Sequence, residues 1–272
     1  MDKTSLGDRM KDYEKIPAIK LMRRTPVIIR LDGKAFHSFT RGMNRPFDDE
    51  LILCMALATQ YLVKNIEGCE FGYTQSDEIS LLLTDYKKLE TQPWFDYKVQ
   101  KMVSVASSMC TLAFNENFQD QFAKKGRQEF LDRRAFFDAR AFNIPRDEVV
   151  NMFIWRQQDW TRNSVQMVGR AKFSQKQLHG CSCDDIQELL WSVCGINWND
   201  TETHKKRGIC VYKRGVVTEM KQKSIDVIGD KAISIGYDGV IRTEYFIDND
   251  IPIFTQDRDF IQKWVDVDKE IE

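Results

Sequence analysis

No apolar run in this chain approaches the roughly 20 residues that a membrane-spanning helix needs; stretches such as 51-LILCMALA-58 fall far short. The opening MDKTSLGDRMKDYEK is polar and mixed in charge, without the apolar segment of a secretory signal. There is no internal repeat, no low-complexity tract and no Pro/Gly/Ser linker, so composition marks no clean domain boundary. An excess of one charge is missing too: 40 Lys and Arg stand against 41 Asp and Glu. With 42% hydrophobic and 30% charged residues, the 272-residue chain is ordinary globular material, which excludes a disordered, collagenous or coiled-coil whole. Seven cysteines (Cys54, Cys69, Cys110, Cys181, Cys183, Cys194, Cys210) are an odd set that reads as free thiols in a reducing cytoplasm. Cys181-Ser-Cys183 lacks the spacing and the second pair of a structural zinc site, and His179 alone does not complete one. A G-x-x-x-x-G-K-[ST] phosphate loop is also absent.

What is present begins with a charge asymmetry. Trp155 to Lys223 carries 12 Lys and Arg against 7 Asp and Glu, whereas Ser224 to Glu272 carries 5 against 12. The basic section either meets phosphates or forms a solvated face matched by the acidic tail.

The first half reads as an ordered series of elements. The β-branched run 26-PVIIRLD-32, opened by Pro26 and stopped at Gly33, is a buried strand. In 48-DDELILCMALATQYLVKNIEG-68, Leu51, Cys54, Met55, Ala58, Leu62 and Ile66 recur at helical spacing between acidic start signals and Gly68. Then 69-CEFGY-73, a turn at Thr74-Gln75-Ser76 and 78-EISLLL-83 make a hairpin. A second amphipathic helix spans 96–118, and 135-AFFDARAFNI-144 is a strand ended by Pro145. The order β-α-β-β-α-β is the ferredoxin-like split unit, an α+β fold with further α/β elements C-terminal to it. Residues 1–145 then form the core and 146–272 a helical, basic and acidic extension packed on it.

That order has a chemical consequence. A right-handed crossover makes the first two strands parallel, and the third slots between them, antiparallel to both. Asp32 at the end of the first strand and Asp77 at the start of the third would then meet on one sheet edge. Singly, Asp32-Gly33 and Ser76-Asp77 are common turn pairs. Together they are also what a divalent-metal site needs, because Mg²⁺ takes one or two carboxylates plus substrate phosphates and water. The bare backbone at Gly33 adds a carbonyl, and two such ions about 3.5–4 Å apart clamp nucleotidyl transfer. Glu78 follows Asp77, points to the opposite face by strand alternation, and completes the catalytic set Asp32, Asp77, Glu78 in a supporting role. The segment 32-DGKAFHSF-39 offers backbone amides to a triphosphate, with Lys34 and His37 beside them. Arg140 and Lys101 are either phosphate contacts or surface charge. The stretch from Trp155 to Phe173, with Arg156, Trp160, Arg162, Arg170 and Lys172, and the cluster 205-KKRG-208 suit nucleic-acid contact or ordinary helix packing.

The segments 30-RLDGKAFHSFT-40, 74-TQSDEISLLL-83, 137-FDARAF-142, 155-WRQQD-159, 178-LHG-180 and 196-INWNDTETHKKRG-208 resemble, in order, those of the histidine-tRNA guanylyltransferase family. These reverse polymerases add nucleotides to RNA 5′ ends in the 3′–5′ direction. The resemblance implies a polymerase-palm-like catalytic core in which Asp32, the Gly33 carbonyl and Asp77 hold two Mg²⁺ ions. It implies a nucleotide pocket of Asp32, Gly33, Lys34, Ala35, Phe36, His37, Ser76 and Asp77, joined by Arg45, Lys101 and Arg140. Arg156, Arg162, Asn163, Lys205, Lys206 and Arg207 become the tRNA contacts. ATP, GTP and other nucleoside triphosphates are the implied substrates and tRNA the implied partner, with a cytoplasmic homotetramer, a dimer of dimers, as the implied assembly. One departure narrows the reading. Where the eukaryotic enzymes carry His-Ile-Asn-Asn-Leu-Tyr-Asn, this chain has 161-TRNSVQM-167. It resembles instead the bacterial and archaeal like-protein branch, which implies template-dependent repair of 5′-truncated tRNA. Single, non-templated G addition, a palm-fold nucleotide cyclase and an inactive tRNA-binding protein are the alternatives.

Overall fold

The computed structural model describes residues 5–219 and 239–266. Its central feature is a six-stranded sheet of β1 (Val27–Gly33), β2 (Cys69–Gln75), β3 (Glu78–Leu83), β4 (Phe137–Asn143), β5 (Ile209–Glu219) and β6 (Gly239–Asp248), in the order β4-β1-β3-β2-β5-β6. Every pairing is antiparallel, and β3 lies between β1 and β2, the placement the element order implies. Residues beyond 145 thus contribute two strands to the sheet begun by the first half.

The near-continuous apolar run of β1 follows from burial on both faces, as expected of a central strand. Val27, Ile29 and Leu31 face α3 (Asp49–Asn65) and α4 (Val99–Lys124), whereas Ile28 faces the long α5 (Val149–Lys172) and α9 (Asp259–Val265). The α3 start is the one read from the sequence: the Asp48 side chain accepts from the Leu51 amide at 3.2 Å. Two boundaries differ from that reading. The hairpin turn is Ser76-Asp77, because Thr74 and Gln75 stay paired with Ile79 and Glu78; Asp77 lies in the turn, one residue before β3. Helix α4 runs on to Lys124, since Phe114, Phe118 and Phe122 continue its buried stripe past residue 118.

A third cluster hangs on the far half of α5. Val165 and Val168 pack against Ile186 and Leu190 of α7 (Cys183–Cys194), which follows the short α6 (Gln175–Leu178). The short α8 (Thr203–Arg207) is clipped to α5 as well: Thr161 donates to the Lys206 carbonyl at 3.2 Å and Ser164 to the Lys205 carbonyl at 2.8 Å. An 11-residue helix α1 (Ser5–Lys15) precedes the sheet and buries none of its residues. Among the described residues no helix is long and apolar enough to cross a membrane. The acidic segment from Ser224 lies partly outside the described residues.

Candidate active site

Strand register brings four carboxylates to one end of the sheet. Asp32 is the direct partner of Glu78 on β3 and of Asp138 on β4, so these three share a face. Asp77 joins them from the turn, pinned by the Gly33 amide, which donates to its carbonyl at 3.0 Å. Two of the four are neutralised. Glu78 is buried and takes a two-point contact from Arg156, at 2.6 and 2.8 Å, and Asp138 pairs with Arg140 at 3.1 Å. Asp32 and Asp77 have no cationic partner among the described residues.

That leaves two acidic side chains near enough for the charge of one to act on the other; Asp77 lines the cleft described below and Asp32 lies beside it, outside the cleft lining. Burial pushes the Asp77 carboxyl above the usual carboxylate range, the charges of Asp32 and Glu78 push the same way, and the Ser76 hydroxyl, at 2.8 Å, only partly offsets them. Such a pair fits a divalent cation, which would relieve both burial and repulsion. Among the described residues no three His, Cys, Asp or Glu side chains converge, so a bound ion would draw its further oxygens from the Gly33 carbonyl, substrate phosphate and water. Gly33 is needed here for space. A Cβ on it would lie 2.2 Å from the Phe36 ring and 2.9 Å from the Asp77 Cβ.

Beside the acids opens a cleft of about 760 Å³, within the range of small-molecule sites. Its acidic end is lined by Gly33, Ala35, Phe36, His37, Ser76 and Asp77. Ala35 and Ser76 both sit in the left-handed region, at φ 54 and 50, a conformation that costs non-glycine residues free energy and recurs at functional sites. The turn at Ala35 starts the single helical turn α2 (Phe36–Phe39), and the amides of Ala35, Phe36 and His37 donate to no acceptor among the described residues. Further along, the cleft runs between Arg45–Leu51 on one side and α5 and α8 on the other. Burial pulls the His204 imidazole on α8 below its ordinary value, so it is neutral at pH 7.

Of the residues named from the sequence, Gly33, Ala35, Phe36, His37, Arg45, Ser76, Asp77 and Asn163 line this cleft. Arg45 is exposed there without an acidic partner among the described residues. Lys34 is exposed just outside it, its amide bound to the Phe136 carbonyl at 2.8 Å. Several cations are corrected. Lys101 is at the wrong end of α4: Thr111 accepts from the Phe137 amide at the acid end of β4, and Lys101 is ten residues back, about 15 Å along the axis. There its ammonium sits over the Phe95 ring. Arg156 is buried and spent on Glu78 and Asp159, so it is not a surface contact for tRNA. Arg162 is exposed but paired with Asp159. Lys205 is held by Asp49 and Glu202, at 2.7 and 2.6 Å; Lys206 bonds the Asn199 carbonyl, and Arg207 that of Ile251. The 205–207 cluster therefore fastens α8 and is not an open basic patch. Asn44, Gln166 and His204 line the cleft and were not foreseen. Helical spacing is the signal that finds part of this wall, because Trp160, Asn163, Met167 and Arg170 fall on one face of α5.

The loop that carries Arg45 is braced from behind. Arg127 grips both oxygens of Asp48, at 2.7 and 2.8 Å, and lies between the rings of Phe122 and Phe130. Burial raises the Asp48 carboxyl, but the Arg127 contact and the Asn44 and Leu51 amides outweigh it and hold the group below its usual range. A depressed carboxylate contributes stability that is present above its unfolded pKa and lost as pH falls through the folded value. Arg127→Met therefore unfolds at lower urea than the parent at pH 7, and the gap in urea midpoint narrows below about pH 4. A gap independent of pH would show that Asp48 is not held by this pair.

The family described as "Thg1: tRNAHis guanylyltransferase" matches residues 7–145. The chain belongs to this family. Its similarity to the tRNA(His) guanylyltransferase of Debaryomyces hansenii is 30% identity over 70% of this chain and 75% of that protein. An uncharacterised mimivirus protein, R259 of Acanthamoeba polyphaga mimivirus, is 28% identical over 85% of this chain and 84% of its own length. Among solved structures, a bacterial Thg1-like protein in complex with ATP superposes with a TM-score of 0.81 at 40% identity, covering 97% of this chain and 100% of that one. A bacterial Thg1-like protein in complex with GTP gives 0.76 at 38% identity, with the same coverage. The chain is thus a nucleotidyltransferase of the Thg1 family, a mixed fold of helices on an antiparallel sheet.

Proposed function

We propose that this enzyme is a Mg²⁺-dependent 3′–5′ nucleotidyltransferase that repairs 5′-truncated tRNA by template-dependent addition in the cytoplasm. The observation that carries the reading is the selective neutralisation of the carboxylates. Glu78 and Asp138 are paired with arginines, while Asp77 lines the cleft end beside Gly33 and Asp32, close enough for its charge to act on Asp77, lies next to it, neither with a cation among the described residues. The strand order β4-β1-β3-β2 supports a polymerase-palm-like core, in which paired acids serve two metal ions.

Asp32, Asp77 and the Gly33 carbonyl would hold the ions. When bound, they would lower the pKa of an attacking hydroxyl and neutralise triphosphate charge. The chain's own residues bind and orient. The free amides of Ala35, Phe36 and His37 face the triphosphate at the start of a helical turn, with Arg45 adding a cation. In the first step an oxygen of the RNA 5′-monophosphate attacks the α-phosphate of ATP or GTP, and pyrophosphate leaves. In the second the 3′-hydroxyl of the incoming nucleotide attacks the activated 5′-phosphate, and the nucleoside monophosphate leaves. Catalysis of this kind is positioning plus charge stabilisation.

Template-dependent repair is favoured over obligatory histidine-tRNA recognition by what replaces the eukaryotic signature. Thr161 and Ser164 are used internally, to clip α8 onto α5, and are not presented to an RNA end. Leu6, Met10 and Tyr13 of α1, all exposed, form an apolar stripe that supports assembly into the homotetramer. The activation step is the direct test. With Mg²⁺ and α-labelled ATP or GTP, 5′-monophosphorylated tRNA takes up label as a 5′-capped species, and 5′-hydroxyl tRNA does not. Absence of that species with both nucleotides would overturn the reading.

A further inference from the structure

We propose that Arg133 is a positioning residue for the reaction: it fixes the peptide planes of the cleft wall at residues 40–47 and so sets where the Arg45 guanidinium meets a triphosphate. This rests on the nucleotide-pocket reading above and assigns the pocket a support from outside the cleft.

The wall hangs between two arginines of one loop. Thr40, Met43, Asn44, Arg45, Pro46 and Phe47 line the cleft, and neither Arg127 nor Arg133 does. At one end of this stretch Arg127 grips Asp48, whose carboxylate also accepts from the Asn44 amide at 3.0 Å. At the other end a single nitrogen of Arg133, Nη1, donates to the Phe39 carbonyl and, at 2.8 Å, to the Arg41 carbonyl. Both guanidinium groups lie over the Phe130 ring, at 4.9 and 4.6 Å from its centroid. The loop that carries them is itself tied to α4. Gln119 donates to the Leu131 carbonyl at 2.8 Å, and Asn115 exchanges two bonds with Ala135, both of 2.9 Å.

Packing alone does not fix the wall, which is why the second anchor matters. Phe39 and Met43 are buried and hold their side chains to the core. Between them Arg41 and Gly42 are exposed, and so are Asn44 and Arg45 beyond. Gly42 is a soft point: it sits at φ 85, and a Cβ there would meet only the edge of the Phe130 ring, at 3.9 Å. The peptide that would turn about this point joins Arg41 to Gly42, and its carbonyl is the one Arg133 holds. Among the described residues Arg133 bonds backbone carbonyls and no carboxylate. Its charge therefore neutralises no buried acid, as that of Arg156 does, and serves to strengthen its hold on the backbone. A wall ordered in advance takes nothing from the binding free energy of the ligand. A contact displaced by about 1 Å loses much of its effect on the reaction.

The test is a double-variant cycle on the full chain with Mg²⁺, read as the Kd of inorganic tripolyphosphate by displacement of a fluorescent ATP analogue. Tripolyphosphate has neither base nor sugar, so it reports the phosphate contacts alone. Arg45→Met weakens it about tenfold, the loss of one charge-assisted contact. Arg133→Met weakens it about five- to tenfold from outside the cleft. The two together weaken it no more than Arg45→Met alone, within about twofold, because Arg133 acts through Arg45. A residue that supports the fold in general would instead multiply with Arg45→Met, to about fiftyfold or more. Such multiplication, or parental affinity in Arg133→Met, overturns the proposal and leaves the pocket reading in place. Parental affinity in Arg45→Met removes Arg45 from the triphosphate site, and the pocket reading and the proposal fall together. If Arg133→Met does not fold, Arg133→Gln, which keeps polar bulk without the charge or the reach, takes its place in the same cycle under the same criteria.

Discussion

Asp77→Asn abolishes 5′-end addition, by about a thousandfold or more, and makes the divalent-free protein harder to melt. The two effects share one cause. Asp77 lies half-buried beside Asp32 with no cationic partner among the described residues, so its folded pKa is raised above the unfolded value, by desolvation first and by the Asp32 charge. A carboxyl shifted that way favours the folded state only while protonated, and its ionised form costs stability once pH exceeds the unfolded pKa near 4. At pH 7 the neutral amide removes that cost and keeps the shape. Divalent ion reverses the ranking, since Mg²⁺ stabilises a chain that binds it in the folded state and not one that has lost a ligand. Calorimetric melting with and without Mg²⁺ checks both signs. The loss of rate follows from removing a group that fixes charge where the reaction develops it. An Asp77→Asn protein that adds nucleotides at the parental rate would remove Asp77 from the site.

The second large effect comes from a pair outside the cleft. Arg156→Met destabilises the protein by about 3–5 kcal/mol, because it leaves Glu78 ionised and buried without its partner. For a chain of this size that is a fall of roughly 10 °C in melting temperature. Adding Glu78→Gln recovers much of the loss, since two neutral side chains of similar bulk no longer strand a charge. Activity does not recover with it. The Glu78–Arg156 contact is where α5 meets the acid end of the sheet, and it sets the position of the Trp160–Arg170 wall. A double variant with parental activity would show that α5 docks without this contact. Equal stability of the single and double variants would show that Glu78 is not stranded.

The first half of the fold was legible because its signals are local. Val27–Leu31 is a β-branched run between Pro26 and Gly33, Asp48 caps α3, and the hairpin is short enough for its partners to be neighbours in sequence. From the element order alone, β3 falls between β1 and β2, and that suffices to bring Asp32 and Asp77 to one edge. What was not legible depends on distant pairing. Nothing near Ile209 says that β5 will add to the edge of β2, at Phe71–Thr74. Charge was the most misleading signal. Arg156, Lys205, Lys206 and Arg207 look alike in a sequence, but one neutralises a buried glutamate and the others fasten α8. A cation's role is set by which acid or carbonyl the fold brings to it, and here those partners are up to 156 positions away, as for Lys205 and Asp49. Lys101 failed for a simpler geometric reason: it lies ten residues of helix before Thr111, the part of α4 that meets the acid end of β4. On the α5 wall Trp160, Asn163 and Arg170 stood out as aromatic and polar groups, whereas Gln166 becomes interesting only when the space in front of it is seen.

The central claim, templated repair of tRNA 5′ ends by the Asp32–Asp77 centre, is tested most directly with two 5′-monophosphorylated tRNAs, Mg²⁺, ATP and all four nucleoside triphosphates. One tRNA lacks its first nucleotide, and four versions of it differ only in the opposing 3′-side base; the other is full-length histidine tRNA. The account predicts that each truncated tRNA gains the complementary nucleotide, whichever base that is, and that Asp77→Asn gains none. Addition of G to histidine tRNA alone, with the truncated tRNAs left unfilled, would contradict it.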